Sequence, residues 1–281
     1  MPTKTVAIIV NHNLPEYTNW LYRSLSEYQD DSFDLLVMDN GSKPELIPEI
    51  VNIRNETNLF WGGALNIAFD FVLKNTQYDS LLFLNNDIDV NASIFVQALR
   101  SELFKNHFAI VTPCIAGMAQ PWKQMMNWGS KKTRTVKWID NQAPLFHRKI
   151  IEAIGQFDPE LQYGWGQELV CYDICKERRW KIGVCDHISM LHFGMQTLVQ
   201  KRLFSQGRGY GNEAEEIAID LENFKREASN SYINYFAEHP LRNGKFDELR
   251  SYGESYSYFP GNPDQNPMNK IFHRLSSMAK R

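Results

Sequence analysis

The sequence predicts an α/β fold, a doubly wound mixed sheet with helices on both faces. Three observations carry that expectation. Apolar runs of strand length alternate with stretches of helical periodicity, the runs end in polar loops bearing Asn or Gly, and the chain is long enough for a large core. Its 281 residues have room for one large α/β domain with an appendage. A content of 43% hydrophobic and 22% charged residues is that of an ordinary globular protein. The net charge of −3 gives no global pull toward a polyanionic partner.

Residues 6–10 are a continuous apolar run and form the first strand. The polar loop Asn11-His-Asn-Leu-Pro15 follows, then a helix patterned on Trp20, Leu21, Leu25 and Tyr28. Residues 33–38 are a second buried strand, closed by Asp39-Asn-Gly-Ser42, so these elements make a right-handed βαβ unit. A short run at 50–53 precedes the Gly-bearing segment 58–63, and a helix at 64–73 sets Leu65, Ala68, Phe69 and Val72 on one face. The fourth strand, 81–84, runs into Asn85-Asn-Asp-Ile-Asp89. From 114 to 140 periodicity lapses, as in a functional loop. Order returns with a helix at 148–154 and a turn at 155–159. Gly164-Trp-Gly-Gln-Glu168 then opens a helix to about 179, followed by short strands at 182–185 and 188–191.

Beyond residue 196 the chain turns polar and helix-rich, which divides it into a main unit, 1–195, and a helical C-terminal extension, 196–281. Within the extension, 251–266 reads as a looser tail. Residues 271–281 form a short basic amphipathic helix, with Ile271, Phe272, Leu275 and Met278 at helical spacing, expected to pack on the main unit. The N-terminus enters the first strand without a basic or apolar leader, and no apolar run approaches bilayer length. A cytoplasmic protein without an integral membrane segment is expected. Cys114, Cys171, Cys175 and Cys185 lack zinc-type spacing and read as buried free thiols.

Chemistry concentrates where the fourth strand stops. Asp87 and Asp89 are one residue apart, so in extended chain they point the same way, at the sheet edge where α/β proteins place ligands. Two carboxylates there suit a hard divalent cation with positions left for phosphate oxygens. The implied substrate is a nucleoside diphosphate compound.

Four motifs stand together: Val10-Asn-His-Asn13, Asp39-Asn-Gly-Ser42, the stretch 58–66 and Asn85-Asn-Asp-Ile-Asp89. Their order and spacing over roughly residues 5–195 resemble the nucleotide-sugar half of a GT-A glycosyltransferase of family 2, in its rhamnosyltransferase-like branch. There the pieces read V-N-Y-N, V-D-N-G-S, N-x-G-x-x-x-x-N and L-N-N-D. The resemblance implies a GT-A Rossmann-like sheet and metal-dependent, inverting transfer of a sugar from a UDP or dTDP donor to an acceptor hydroxyl.

It also implies residue roles. Asp39 accepts from the imide of a uracil or thymine base, with Asn11 bordering base and ribose. Gly62 and Gly63 admit the sugar-phosphate, Asn66 presents an amide from a helix start, and Asn86 lies in the matching L-N-N-D stretch. Asp87 matches the metal-binding aspartate, while Asn85 takes the first acidic position of that motif, so Asp89 shares the metal or is structural. His192 matches the family's third ligand, and its imidazole favours Mn²⁺ over Mg²⁺. Family members carry Glu-Asp after a Gly- and Trp-bearing loop; this chain has Gln167-Glu168, so Glu168 aligns with the catalytic base and Asp173 is the alternative. Asp140, in a strand at 138–142, is a candidate for sugar hydroxyls, and Trp165 either stacks on a sugar face or belongs to the core.

Two other readings stay open. A nucleotidyltransferase shares the sheet and acidic metal site but needs a Gly-rich basic loop after the first strand, which this chain lacks. A non-catalytic nucleotide-sugar or glycan-binding protein is favoured by the departures at Asn85 and Gln167. The acceptor, whether glycan, lipid-linked sugar, protein or modified nucleic acid, has no signature in the sequence.

Overall fold

A computed structural model describes residues 4–116, 123–193 and 211–254. Part of the irregular stretch, the tail beyond 254 and the amphipathic helix expected at 271–281 lie outside the described residues. The elements in order are β1 (Lys4–Asn11), α1 (Pro15–Ser26), β2 (Phe33–Asn40), β3 (Ile53–Asn55), α2 (Phe60–Lys74), β4 (Tyr78–Asn85), β5 (Ile88–Val90), α3 (Phe95–Lys105) and β6 (Phe108–Ala116). There follow β7 (Thr133–Val136), β8 (Leu145–His147), α4 (Arg148–Ile154), α5 (Gln167–Arg178), β9 (Lys181–His192), α6 (Gly211–Glu238) and α7 (Phe246–Glu254).

The nine strands form one mixed sheet in the order β3-β2-β1-β4-β8-β6-β9-β5, with β7 pairing to β9. Val6, Ala7, Ile8 and Ile9 of β1 and Leu81 to Leu84 of β4 are all sealed from solvent. Unbroken apolar runs of this kind mark strands covered on both faces. On α1, Leu21 and Leu25 form the buried stripe, while Trp20, a hundred degrees around the helix, and Tyr28, beyond its end, are exposed. Arg148 ties α4 to α2 by donating to the carbonyls of Val72, Leu73 and Asn75 at the end of α2.

Three elements differ from the sequence expectation. Helix α2 starts at Phe60, so Gly62 and Gly63 lie inside its first turn rather than in a loop. The two short late strands are one strand, β9, whose register against β6 slips after Pro113, a residue with no N–H to give the ladder. The segment 138–142, expected as a strand, is a loop held beside β4 by Asn85 N donating to the Gln142 carbonyl at 2.9 Å. In addition α3 and β6 occupy residues 95–116, where no element was anticipated.

β1, β2, β3 and β4 run parallel, β8 runs against both β4 and β6, and β9 is parallel to β6. β9 therefore points the same way as β1, β2 and β4, and His192 emerges at the same sheet edge as Asn11, Asp39 and Asp87. Past β9, α6 and α7 build a small apolar cluster with α5 and the 138–142 loop, through Trp138, Leu169, Phe236 and Leu249. Among the described residues no helix is long and apolar enough to cross a membrane.

Candidate active site

The strand ends are knotted by asparagine. Asn11 is fully buried: its Nδ2 donates to Asp39 Oδ1 at 3.0 Å and Ser42 Oγ at 2.9 Å, and its Oδ1 accepts from Thr18 Oγ1 at 2.8 Å. Asn86 Nδ2 donates to the same Thr18 hydroxyl at 2.9 Å and to the Leu14 carbonyl at 3.3 Å. Both side chains are spent on the turn into α1. Asp39 is likewise sealed, accepting from Asn11 and from Ser42 N, with Arg54 Nε 3.8 Å away. Its carboxylate braces the strand ends.

The Gly-bearing helix is also used internally. Gly62 N donates to the Gln162 carbonyl at 2.7 Å, and a Cβ on Gly62 would lie 2.5 Å from the Leu161 carbonyl oxygen. Glycine is needed there so that α2 can touch the 159–162 turn. A Cβ on Gly63 would meet Leu59 Cβ at 2.7 Å. Asn66 sits in the second turn of α2 and pairs with both backbone groups of Phe157, donating to its carbonyl at 2.9 Å and accepting from its N–H at 2.8 Å. That amide is committed to the chain's own turn.

Asp87 and His192 come together. Asp87 Oδ1 is 3.3 Å from His192 Nε2, Asn85 Nδ2 is 3.5 Å from the same nitrogen, and Phe193 N donates to the Asp87 carbonyl at 2.9 Å. Burial works against a charge on His192, but the hydrogen bond and charge of Asp87, with Asp140 nearby, outweigh it and raise the imidazole above its ordinary value. Asp89 does not join them. Its partner across β5 and β9 is Leu191, whereas Ile88 pairs with His192, so Asp89 projects to the opposite face. The expected alternation fails because β5 begins after Asp87. Among the described residues no group of three His, Cys, Asp or Glu side chains is disposed to hold a metal ion. The two donors still fit one: neighbouring ligands in an octahedral Mg²⁺ or Mn²⁺ shell stand about 3 Å apart, and such ions keep several positions for water and phosphate.

Glu168 lies in the first turn of α5, after Gly166, whose φ of +91 turns the chain sharply into the helix. Desolvation chiefly, then the nearby Asp140 charge, push its carboxyl up to about 8, against the opposing pull of the backbone amides of the helix start. The charge of Asp140 bears on both Glu168 and His192. Its own position is fixed by Gln142 Nε2, by Asn141 N at 2.9 Å, and by its N–H against Met125 Sδ at 3.4 Å. Trp165 is outside the core, 39% exposed, on the loop that leads into α5.

Asp173 is elsewhere engaged. Its carboxylate accepts from Asn243 N at 2.7 Å and Arg242 N at 3.1 Å, tying α5 to the link between α6 and α7. All four cysteines are free and buried, and burial raises every thiol, so none is poised as a nucleophile.

Sequence reasoning passed over Asn40 and His12. Asn40 donates to Asn58 Oδ1 at 3.1 Å and the Phe60 carbonyl at 3.0 Å, and accepts from Asn55 Nδ2 at 3.0 Å. His12 Nδ1 donates to the Asn40 carbonyl at 3.0 Å, and its Nε2 accepts from Asn13 Nδ2 at 3.1 Å. The Asn that ends each of β1, β2, β3 and β4 was the available signal.

No protein-family profile and no curated protein matches the sequence. Solved structures do. GalNAc-T7, with UDP, GalNAc and Mn²⁺, matches at a TM-score of 0.54 and 14% identity over 85% of this chain and 58% of that one. TarS residues 1–349 of S. aureus match at 0.50 and 14% identity, over 89% and 77%. Mannosyltransferase PcManGT of Pyrobaculum calidifontis, in complex with GDP-Man and Mn²⁺, matches at 0.50 and 12%, over 99% and 81%. This chain thus spans 58% of the length of the first of these. At such identities the likeness establishes the fold: a GT-A-like glycosyltransferase architecture on a nine-stranded mixed sheet.

Proposed function

We propose that the protein is a metal-dependent, inverting glycosyltransferase that moves a sugar from a UDP or dTDP donor to an acceptor hydroxyl. The observation that carries this reading is the gathering of the Asp87–His192 pair, Asp140 and Glu168 at one sheet edge, with the Glu168 carboxyl near 8. The fold of glycosyltransferases that bind UDP or GDP-Man with Mn²⁺ supports it. The division into a catalytic unit, 1–195, and a helical extension from 196 belongs to the same reading.

In the reaction the acceptor oxygen bonds to the anomeric carbon from the face opposite the departing group. As it does so, its proton passes to a Glu168 carboxylate oxygen, and the bond from the anomeric carbon to the nucleoside diphosphate breaks with its electron pair going to the phosphate oxygen. A raised carboxyl is a stronger base than an ordinary one, as this proton transfer requires. Asp87 and His192 would hold Mn²⁺ or Mg²⁺, which supplies positive charge to the diphosphate. Asp140, held by Gln142, would meet sugar hydroxyls. Asp173, Asn11, Asn66 and Asn86 would serve the framework, Asp39 would brace the strand ends, and Gly62 would let α2 meet the 159–162 turn.

A thermal-shift screen of UDP, dTDP and GDP sugars tests the donor, since a ligand that binds only the native state raises its melting temperature. A Mn²⁺-dependent rise with a UDP or dTDP sugar is expected; no rise with any nucleotide sugar would contradict the proposal.

A further inference from the structure

The turn of α5 that carries Glu168 has no side-chain cap: Gly166, left-handed at φ +91, stands at its N-cap and contributes only backbone. Its first residue fastens it instead. Gln167 is 1% exposed, and its Nε2 donates to the Leu161 carbonyl at 3.3 Å. The amide lies in a slot left open by Gly62 of α2, since a Cβ there would collide with Gln167 Nε2. Within that slot Gln167 Oε1 is buried and, among the described residues, has no hydrogen-bond partner.

A buried acceptor left unmet destabilises a fold, and native proteins hold few of them. The one bond that the amide does make is not indispensable either, because the Leu161 carbonyl also accepts from Gly164 N at 3.0 Å. By stability alone, an apolar side chain of the same length would serve at least as well. A glutamate at this place, as in the Glu-Asp pair of the family that the sequence resembles, would set a second carboxylate against the Leu161 carbonyl and beside Glu168. The neutral amide avoids both.

The slot is part of a seat that leads to the metal-holding pair. Next to Gly62, Trp61 packs against Gly164, where a Cβ would come within 2.5 Å of the indole. Trp61 also packs on Phe83 of β4, with ring centroids 4.7 Å apart. Asp87 follows the end of β4 by two residues. The start of α5 is thus referenced, through the first turn of α2, to the strand that presents Asp87. Among the described residues, the titratable groups that bear on Glu168 are Asp140 from the 138–142 loop and the Cys171 thiol on its own helix.

We infer that Gln167 is a positioning residue: seated against Gly62, it fixes the depth and rotation of the first turn of α5, and so the placing of the Glu168 carboxyl relative to the Asp87–His192 pair. The inference rests on the reading of Glu168 as the base of glycosyl transfer. Base catalysis depends steeply on such placing, a displacement of about 1 Å costing on the order of 10²-fold in rate.

Two variants test it, assayed with Mn²⁺ and whichever nucleotide sugar stabilises the protein most. Gln167→Met keeps the length of the side chain and removes the amide. Its kcat should fall about tenfold or more, while KM for the donor stays within about twofold and the melting temperature is equal or higher. Gln167→Ala empties the slot, and water entering beside Glu168 relieves its desolvation, so the limb of kcat/KM near pH 8 should move down by about one pH unit or more. An unchanged kcat in Gln167→Met, a kcat lost only together with melting temperature, or a limb that stays near pH 8 in Gln167→Ala would overturn the inference. Should no donor be consumed, NMR of ¹³C-labelled glutamate carboxyls reads the same placing without turnover, the Glu168 signal being the one absent from Glu168→Gln. A Glu168 midpoint that drops in Gln167→Ala supports the inference and an unmoved midpoint overturns it, while the failure of turnover counts only against the catalytic reading.

Discussion

Glu168 is a carboxyl whose environment opposes ionisation until about pH 8. If it is the base, kcat/KM should climb as pH rises through about 8, because only the ionised form accepts the proton. Glu168→Gln should lower kcat by roughly 10²–10⁴-fold and abolish that limb while still binding donor. A normal rate in this variant would remove Glu168 from the role. Stability has the opposite sense. The native carboxyl titrates above its unfolded value of 4.5, so the folded state holds more protons between those limits and loses stability as pH rises across them. Glu168→Gln should therefore melt higher than the unaltered protein at pH 8.5, with the gap closing below pH 4.5; differential scanning calorimetry at the two pH values reads this directly.

Elements are joined by polar side chains that the sequence presents as site residues. Asn66 fastens α2 to the turn at Phe157, and its replacement by Ala leaves two backbone groups unpaired. A loss of about 1–3 kcal/mol in chemical denaturation is expected, without a change in the pH limb set by Glu168. Asp173 fastens α5 to the link between α6 and α7 through Arg242 N and Asn243 N. Asp173→Ala should cost about 1.5–3 kcal/mol and leave kcat within a few-fold; a collapsed kcat at unchanged stability would reinstate Asp173 as the base. These two residues mark the limit of reading a sequence. An Asn or Asp at an element end serves a ligand or the chain's own backbone equally well, and its partner, often some seventy to ninety residues away, is set by tertiary contact. Gly62 misled in the same way. Glycine signals both a ligand-facing loop and a close crossing of chain on chain, and here the 159–162 turn occupies the space. By contrast β1, β2 and β4 were plain in their apolar runs, and α4 and α5 in their periodicity and flanking glycines, because local pattern and burial agree there.

The whole molecule explains why distant motifs converge. Parallel β1, β2, β4 and β9 end at one edge, and β8, running against its neighbours, carries the 138–142 loop there too. The edge itself could be anticipated from alternating strands and helices; the pairing of Asp87 with His192 rather than with Asp89 depended on where β5 begins, which no residue pattern specifies. α6 and α7 then close the far side, Trp138 Nε1 donating to the Leu249 carbonyl at 3.2 Å beside the Asp140 loop. Catalysis at this edge, with Asp87 as a metal-holding group, is decided by following nucleoside diphosphate release from UDP and dTDP sugars, with acceptor mixtures, as Mn²⁺ is added and withdrawn. The unaltered protein should turn over donor only with the cation, and Asp87→Ala should lose that turnover. Donor binding without turnover in the unaltered protein, or full turnover in Asp87→Ala, would contradict it.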